Sequence, residues 1–475
     1  MDLLADRSLP RRWAASWAAE PRRPVLHAGH WINAAELEER TAERARTLIA
    51  LGAGPGRLVL LCASTPITVV EWHIGALRSG SVVIPVNPAY RAREIAHIVG
   101  DAEPAVAVVE SDEHAAWIEA AAPALTVVRT ASPPDVAEDA PLDSAEAGDP
   151  ALLPYTSGTT GAPKGALLSH GNLLASVTGL RSAWRWTPDD RLVHALPLFH
   201  MHGLGVGLYG TLAAGASAVL LTGFDAASVL DAAGAHDATL LFGVPTMYGR
   251  LVDAPGAGRL ARLRMLASGS APLAPDLFRR IEAVSGQRVV ERYGMTETMM
   301  NTSNPYAGER RPGSVGLPLP GVEVRLSGAT GEVELRGPNV FAGYWRSDAA
   351  TAGAFTADGW FRTGDLGQLD ADGYLRIAGR AKELIITGGY NVYPREVEDA
   401  LLELPGVREV AVVGRPSDEW GETVAAFVVG DADEDASRAH CAERLASYKR
   451  PRRIVYVDVL PRNALGKVLR GELPD

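Results

Sequence analysis

From Arg57 onward the sequence alternates short apolar runs with amphipathic stretches, a rhythm that restricts it to mostly parallel sheets flanked by helices. Leu58–Ala63 reads as a strand, Ile67–Ser79 as a helix, Val82–Val86 as a strand, Ala92–Val99 as a helix and Ala105–Val109 as a strand. The pattern resumes later, with strands expected at Arg191–Leu196, Ala218–Leu221, Thr239–Val244 and Leu263–Ala267. Near Val322 the texture changes. Val322–Leu326 and Gly331–Arg336 are short alternating strands separated by a turn, which suggests a small antiparallel barrel-like unit. After Arg380 come further strands and two helices, Pro394–Leu404 and Ala436–Leu445, with Asp431–Asp435 read as an acidic solvated loop. The expected class is α/β with an α+β C-terminal lobe. A large N-terminal domain over residues 1–379 would hold two parallel-type βα sheets and the small barrel, and a small mobile domain would occupy 383–475.

A chain of 475 residues with 47% hydrophobic content can bury a large core and is long enough for two domains. Its net charge of −11 argues against a nucleic-acid or anionic-membrane partner. The two cysteines, Cys62 and Cys441, are far apart in sequence and suggest a reducing compartment, without a disulfide framework or a metal cluster. No apolar run approaches membrane-spanning length, and Met1–Glu20 lacks the continuous apolar segment of a signal peptide. A cytoplasmic protein is expected. The sequence leaves its oligomeric state open.

The densest chemical signal is Tyr155-Thr-Ser-Gly-Thr-Thr-Gly-Ala-Pro-Lys-Gly165. Gly158, Gly161 and Gly165 let the backbone curl its N–H groups inward, Thr156, Ser157, Thr159 and Thr160 add hydroxyl donors, and Lys164 adds a mobile cation. Such a loop cradles a polyphosphate. Ala151-Leu-Leu153 before it suggests a strand end and Ser169–Trp186 after it a helix, giving strand, phosphate loop, helix. Gly165 stands where a Walker A loop needs Ser or Thr, so that motif is excluded. Of 46 basic residues only Lys164, Lys382, Lys449 and Lys467 are lysines. Where arginine otherwise carries nearly every positive charge, each lysine marks a task suited to a flexible ammonium. Lys449 alone falls outside the motifs below and is equally well read as drift.

Further motifs follow in order: Leu196-Pro-Leu-Phe-His-Met-His-Gly203, Glu291-Arg-Tyr-Gly-Met-Thr-Glu-Thr298, Phe361-Arg-Thr-Gly-Asp-Leu366 with Asp365 expected in a tight turn, and Asp372–Arg380 leading to Lys382. Gly388-Gly-Tyr-Asn391 and Pro461-Arg-Asn-Ala-Leu-Gly-Lys467 complete the series. Taken with the loop, these residues resemble the adenylate-forming superfamily of acyl-CoA synthetases, carrier-protein adenylation domains and luciferases. The resemblance covers essentially the whole chain from about residue 30.

It implies an ATP- and Mg2+-dependent ligase that joins a carboxylic acid to coenzyme A through an acyl-adenylate. Bringing a carboxylate onto the α-phosphate joins two anions, so positive charge must gather there. By resemblance Thr156, Ser157, Gly158, Thr159, Thr160, Gly161 and Lys164 hold the β- and γ-phosphates, and Glu297 with Thr160 serves the metal. The rest of the nucleotide site would comprise Ser270, Ala271, Glu291, Arg292, Tyr293, Gly294, Met295 and Thr296. Tyr293 would stack on adenine, Asp365 would bind the ribose hydroxyls and Arg380 would assist there; taken singly, Tyr293 and Asp365 read rather as a core tyrosine and a loop aspartate. Thr156, His200, Glu297 and Lys467 make up the implied catalytic set, Lys467 bridging carboxylate and α-phosphate. The C-terminal lobe would turn at Lys382, within a hinge over 380–382, and present Gly388, Gly389 and Tyr390 to coenzyme A. Lys467 also sits in the type of motif that lysine acetyltransferases modify, and acetylation would remove its charge.

Within the superfamily, Phe242–Arg250, Leu266–Leu273, Glu291–Pro305 and Arg310–Gly321 resemble the malonyl-CoA synthetase branch. That likeness implies that His202, Arg250 and Ser270 bind the distal carboxylate of malonate or methylmalonate, with Met201 and Met300 shaping the pocket around C2. Pro245 reads as a helix start with Arg250 about one and a half turns in. A buried arginine at the pocket floor would suit a diacid and be left unpaired by a fatty acid. On spacing alone Arg250 reads as an exposed helix arginine paired with a neighbour such as Asp253. The His200/His202 pair has no third metal ligand nearby in sequence, which favours substrate contacts over zinc. No carrier module follows Lys467, so coenzyme A is the expected acceptor and a separate carrier protein the alternative. Other small, fatty or aromatic acids remain the alternative substrates.

Overall fold

In a computed structural model the chain is described over residues 8–156, 163–328, 331–462 and 468–474. Leu58–Cys62, Val82–Pro85 and Val106–Val109 are strands buried on both faces, as their unbroken apolar sequences require. They pair in parallel, and the helices Pro66–Arg78 and Ala92–Ala102 connect them. Proline at the first turn of Pro66–Arg78 costs no hydrogen bond there and presets the helical backbone.

The larger sheet has nine strands among the described residues. At its centre Ser217–Leu220, Arg191–His194, Leu240–Gly243, Met265–Ser268 and Val290–Tyr293 run parallel, each beside the next. The expected strands are all present, each end within two residues of the apolar run. Glu323–Leu326 and Glu332–Arg336 pair antiparallel within a separate four-stranded sheet, which is open, a half barrel.

Three local expectations are corrected. The phosphate loop does not lead into a helix: Lys164–Ser169 is a strand, antiparallel to Tyr155–Thr156 and to Pro150–Leu152. This strand carries the chain back across the sheet before the helix His170–Ala183 begins at its Ser169–Asn172 capping box. Tyr155–Thr156 and Lys164–Ser169 are thus antiparallel neighbours, and the helix dipole lies at the far end of the second strand. Asp365 lies not in a tight turn but inside the strand Phe361–Leu369, next to a bulge at Leu366/Gly367. Finally, the acidic run is more than a solvated loop. The Asp433 carboxylate accepts from the Ala436 N–H, and Glu434 and Asp435 occupy the first turn of Glu434–Arg444, where the helix dipole favours negative charge.

The C-terminal strands and helices enclose apolar clusters of their own, around Ile385, Val397, Leu401 and Val412 and around Phe427 and Leu460. The helix Pro394–Leu402 also packs against Leu375–Arg380 of the half barrel. Among the described residues no helix is long and apolar enough to cross a membrane.

Candidate active site

Four adjacent parallel strands release their chains at one edge of the larger sheet. Arg191–His194 leads to the two-histidine segment, Leu240–Gly243 to the helix Pro245–Asp253, Met265–Ser268 to Ser270, and Val290–Tyr293 to Glu297. Loops beyond the carboxyl ends of parallel strands meet there because the strands are neighbours, however distant they are in sequence. Between this edge and the helix Pro66–Arg78 lies a cavity of about 430 Å³. His200, His202, Ser270 and Arg250 line it on one side, and Val69, Leu220 and Phe224 give it an apolar stretch.

His202 is buried, and its Nδ1 stands 3.2 Å from Ser270 Oγ. Burial pushes the His200 and His194 imidazoles down to about 4, and the positive charge of Arg292 adds to this at His200. His202 is lowered well below the ordinary histidine range by burial first, then by Arg292. These histidines are neutral at pH 7. They can orient a ligand by hydrogen bonding but cannot neutralise it. Among the described residues no three metal-ligating side chains converge.

Arg250 lines the cavity and is exposed, so the expected buried arginine at the pocket floor is not what the structure has. Met247, Tyr248 and Leu251 bury the other face of its helix, which turns Arg250 outward. Among the described residues it makes no ion pair: the neighbouring Asp253 is taken by Arg280 instead. Met201 and Met300 do not line the cavity. Both lie in the hydrophobic core, and Met247 contributes to the wall in their place.

Among the residues expected at the nucleotide, Asp365 is buried between two partners. Tyr293 Oη donates to its Oδ2 at 2.6 Å, and Arg380 Nε approaches its Oδ1 at 2.9 Å. Burial alone would lower the Arg380 guanidinium, but Asp365 leads the groups that hold it above its usual value. Glu297 is buried and accepts from the Tyr344 hydroxyl at 3.0 Å. Burial raises its carboxyl, while its own backbone N–H and the Tyr344 hydroxyl pull in the opposite direction. Lys164 Nζ lies 5.7 Å from the centre of the Tyr344 ring, and Thr156 Oγ1 donates to the Lys164 carbonyl at 3.4 Å, closing the base of the hairpin. Ser157, Gly158, Thr159, Thr160, Gly161 and Lys467 lie outside the described residues.

Two families of matches connect this geometry to known proteins. The model of the AMP-binding enzyme family matches residues 13–345, and that of the AMP-binding enzyme C-terminal domain matches 396–467. The chain belongs to the AMP-binding enzyme family. A sulfoacetate–CoA ligase of Cupriavidus necator is 38% identical over 97% of this chain and 95% of its own. ATP-bound MatB of Rhodopseudomonas palustris superposes with a TM-score of 0.91 at 39% identity, covering 98% of both chains. A malonyl-CoA ligase in a ternary product complex with methylmalonyl-CoA and AMP is 41% identical, with a TM-score of 0.67 over 93% of this chain and 97% of the other. This AMP-binding enzyme is an AMP-forming acid–CoA ligase, for which ATP and coenzyme A are fitting substrates.

Some expected residues of this AMP-binding enzyme stand apart from the cavity. Lys382, Gly388, Gly389 and Tyr390 are exposed and do not line it. Gly388 and Gly389 have φ of 57° and 83°, so their backbone alone favours glycine. Tyr390 stacks on Tyr448 with ring centres 4.6 Å apart. Glu291 accepts from the Leu273 N–H at 3.1 Å, and burial raises its carboxyl to about 7. Sequence reasoning missed Tyr344 and His194. Tyr344 lies in none of the motifs, and only its pairing with Ala166 in the folded sheet brings it to Glu297.

Proposed function

We propose that the enzyme is a malonate–CoA ligase that also takes methylmalonate. In the first step a carboxylate oxygen attacks the α-phosphorus of ATP and the bond to the bridging oxygen breaks, releasing pyrophosphate. In the second, the thiolate of coenzyme A attacks the acyl carbon and AMP departs. The observation that carries the choice of acid is Arg250, a guanidinium that lines the acyl cavity and has no counter-ion among the described residues, while the histidines beside it are neutral. A cavity whose one cationic lining residue among those described is a solvated guanidinium still favours a ligand that brings the opposite charge to it. The sulfoacetate–CoA ligase and the malonyl-CoA ligase named above support a small acid with a second anionic group.

Magnesium fits Glu297, a buried carboxylate that offers the oxygen ligation this ion prefers. With no cluster of ligating side chains among the described residues, most of its ligands would come from phosphate oxygens and water. Bound there, the ion would neutralise phosphate charge. Asp365, with Tyr293 and Arg380, would fix the ribose, and Thr156 and Lys164 with the loop between them would hold the outer phosphates. His200 would hydrogen-bond within the acid site, and His202, Ser270 and Arg250 would receive the distal carboxylate. Lys467 would bridge carboxylate and α-phosphate, and its acetylation by a lysine acetyltransferase would stop the first step. Rotation about Lys382 would then bring Gly388, Gly389 and Tyr390 to coenzyme A. Two buried, unpaired cysteines suit the reducing cytoplasm.

The apolar stretch of Val69, Leu220 and Phe224 favours a second reading, an aryl or fatty acid. ATP–pyrophosphate exchange across a panel of acids separates the two. Strong exchange with malonate and methylmalonate, and weak exchange with propionate, octanoate and benzoate, is expected. Strong exchange with octanoate or benzoate and none with malonate rejects the proposal.

A further inference from the structure

Two residues of one helix, His97 and Asp101, hold the two ends of the phosphate loop. The helix Ala92–Ala102 buries Ile95, Ile98 and Val99 in one apolar cluster with Leu60 and Ile84. His97 and Asp101, four residues apart, share another face of it, and neither belongs to a motif. His97 Nε2 lies 2.9 Å from the Pro163 carbonyl oxygen, which only accepts, so this nitrogen carries the proton. Proline has no N–H, and its carbonyl is the one backbone group by which Pro163 can be held. At the other end Tyr155 Oη donates to Asp101 Oδ2 at 2.5 Å, and the His97 and Tyr155 rings meet edge to face with centres 6.1 Å apart. Burial first, and then Asp101, raise the Tyr155 hydroxyl, so it keeps its proton and donates.

The two held residues occupy matching places. Tyr155 immediately precedes Thr156, and Pro163 immediately precedes Lys164. Thr156 and Lys164 are paired across the two strands. Side chains alternate along a strand, so anchoring Tyr155 to the helix sends Thr156 to the opposite face. A third segment braces the same helix end. Trp345 Nε1 and Arg346 Nη1 donate to the Asp101 carbonyl at 3.4 and 3.3 Å, and Arg346 pairs with Glu103 at 2.9 Å. The Trp345 N–H in turn donates to the Gly165 carbonyl at 2.8 Å. Gly165 permits this approach: a Cβ there would lie 2.8 Å from Leu153 Cδ1 and 3.3 Å from Trp345 Cβ.

We infer that His97 and Asp101 are positioning residues for adenylation, which through Pro163 and Tyr155 fix Lys164 and Thr156 at the spacing the outer phosphates of ATP require. This rests on the proposed reading of Thr156 and Lys164 as phosphate-holding residues. A hydroxyl and an ammonium stem anchored before ATP arrives lose less freedom when they engage it, so the clamp adds affinity without touching the nucleotide. The gain is confined to ligands that carry β- and γ-phosphates. AMP lacks both.

Calorimetric titration of the full chain with ATP in the presence of magnesium, and separately with AMP, tests this in wild type, His97→Leu, His97→Gln, Tyr155→Phe and Asp101→Asn. His97→Leu and Tyr155→Phe each delete one bond, and each should weaken ATP about fivefold while AMP stays within about twofold. His97→Gln keeps an N–H donor close to the place of Nε2, and Asp101→Asn keeps an acceptor for the Tyr155 hydroxyl. Both should bind ATP within about twofold of wild type. A loss shared equally by ATP and AMP is the mark of disturbed packing and overturns the inference. So does unchanged ATP affinity in both deleting variants, or a loss in His97→Gln as large as that in His97→Leu. Should His97→Leu not fold, Tyr155→Phe, which keeps the ring and its packing, decides alone. A wild type that binds ATP no more tightly than AMP overturns the phosphate-holding reading itself, and the inference falls with it.

Discussion

The Tyr344 hydroxyl stands 3.0 Å from Glu297 Oε1, joining a strand that pairs with the back of the phosphate-loop hairpin to the carboxylate proposed to serve magnesium. The same ring faces Lys164. Tyr344 thus couples a group that would hold phosphate to one that would hold the metal, and it does so from outside every motif.

Tyr344→Phe tests this coupling. The hydroxyl is one of the groups that opposes the upward pull of burial on Glu297. Without it Glu297 should protonate at higher pH, so the acid limb of the pyrophosphate-exchange profile should move upward. A hydrogen bond to a charged group contributes about 1.5–3 kcal/mol, so exchange at pH 7 should fall by roughly 10- to 100-fold. A limb that stays in place argues against the coupling.

Glu291 gives a stability prediction. Its carboxyl is raised from 4.5 to about 7, first by burial. The raised group stabilises the fold fully only below about pH 4.5, and that contribution is lost as pH climbs through about 7. The span corresponds to a loss on the order of 3 kcal/mol by pH 8. Glu291→Gln keeps an acceptor for the Leu273 N–H and cannot ionise. Its Tm should exceed that of wild type at pH 8, with the difference shrinking toward pH 5. Parallel Tm curves for the two proteins would sink this account.

Tyr293→Phe removes one of the two groups that orient Asp365 while leaving the Arg380 ion pair. If Asp365 fixes the ribose, the ATP KM should rise about tenfold, as expected for one lost charge-assisted bond, and the KM for the acid should hold. Steady-state kinetics with each substrate varied in turn decides this.

The central strands were legible because a parallel strand buried on both faces must be apolar throughout, as in Leu58–Cys62. The motif residues were legible because their order along the chain follows the order in which loops leave the sheet. Their directions were harder to read. Lys164–Ser169 mixes Gly, Ala and Leu in a pattern as compatible with a helix entry as with a strand, and only pairing with Tyr155–Thr156 makes it one. Arg250 and Arg292 look alike in sequence. Burial of Met247, Tyr248 and Leu251 turns the first outward, and strand alternation buries the second.

Arg250→Ala is the mutation that weighs the exposed guanidinium at the cavity. Arg250 is solvent-accessible, so its loss should leave the fold intact and the Tm within about 1 °C, in keeping with the small effect of surface substitutions. The cost should fall on the acid. Removing a partially screened charge that pairs with the distal carboxylate should raise the malonate KM by about 10- to 100-fold. The ATP KM should remain within about twofold, and the propionate KM should barely change, because propionate offers no second anion. Raising ionic strength should narrow the malonate gap between wild type and Arg250→Ala, since salt screens an exposed charge. A gap that ionic strength leaves unchanged would contradict a solvent-screened guanidinium at this position.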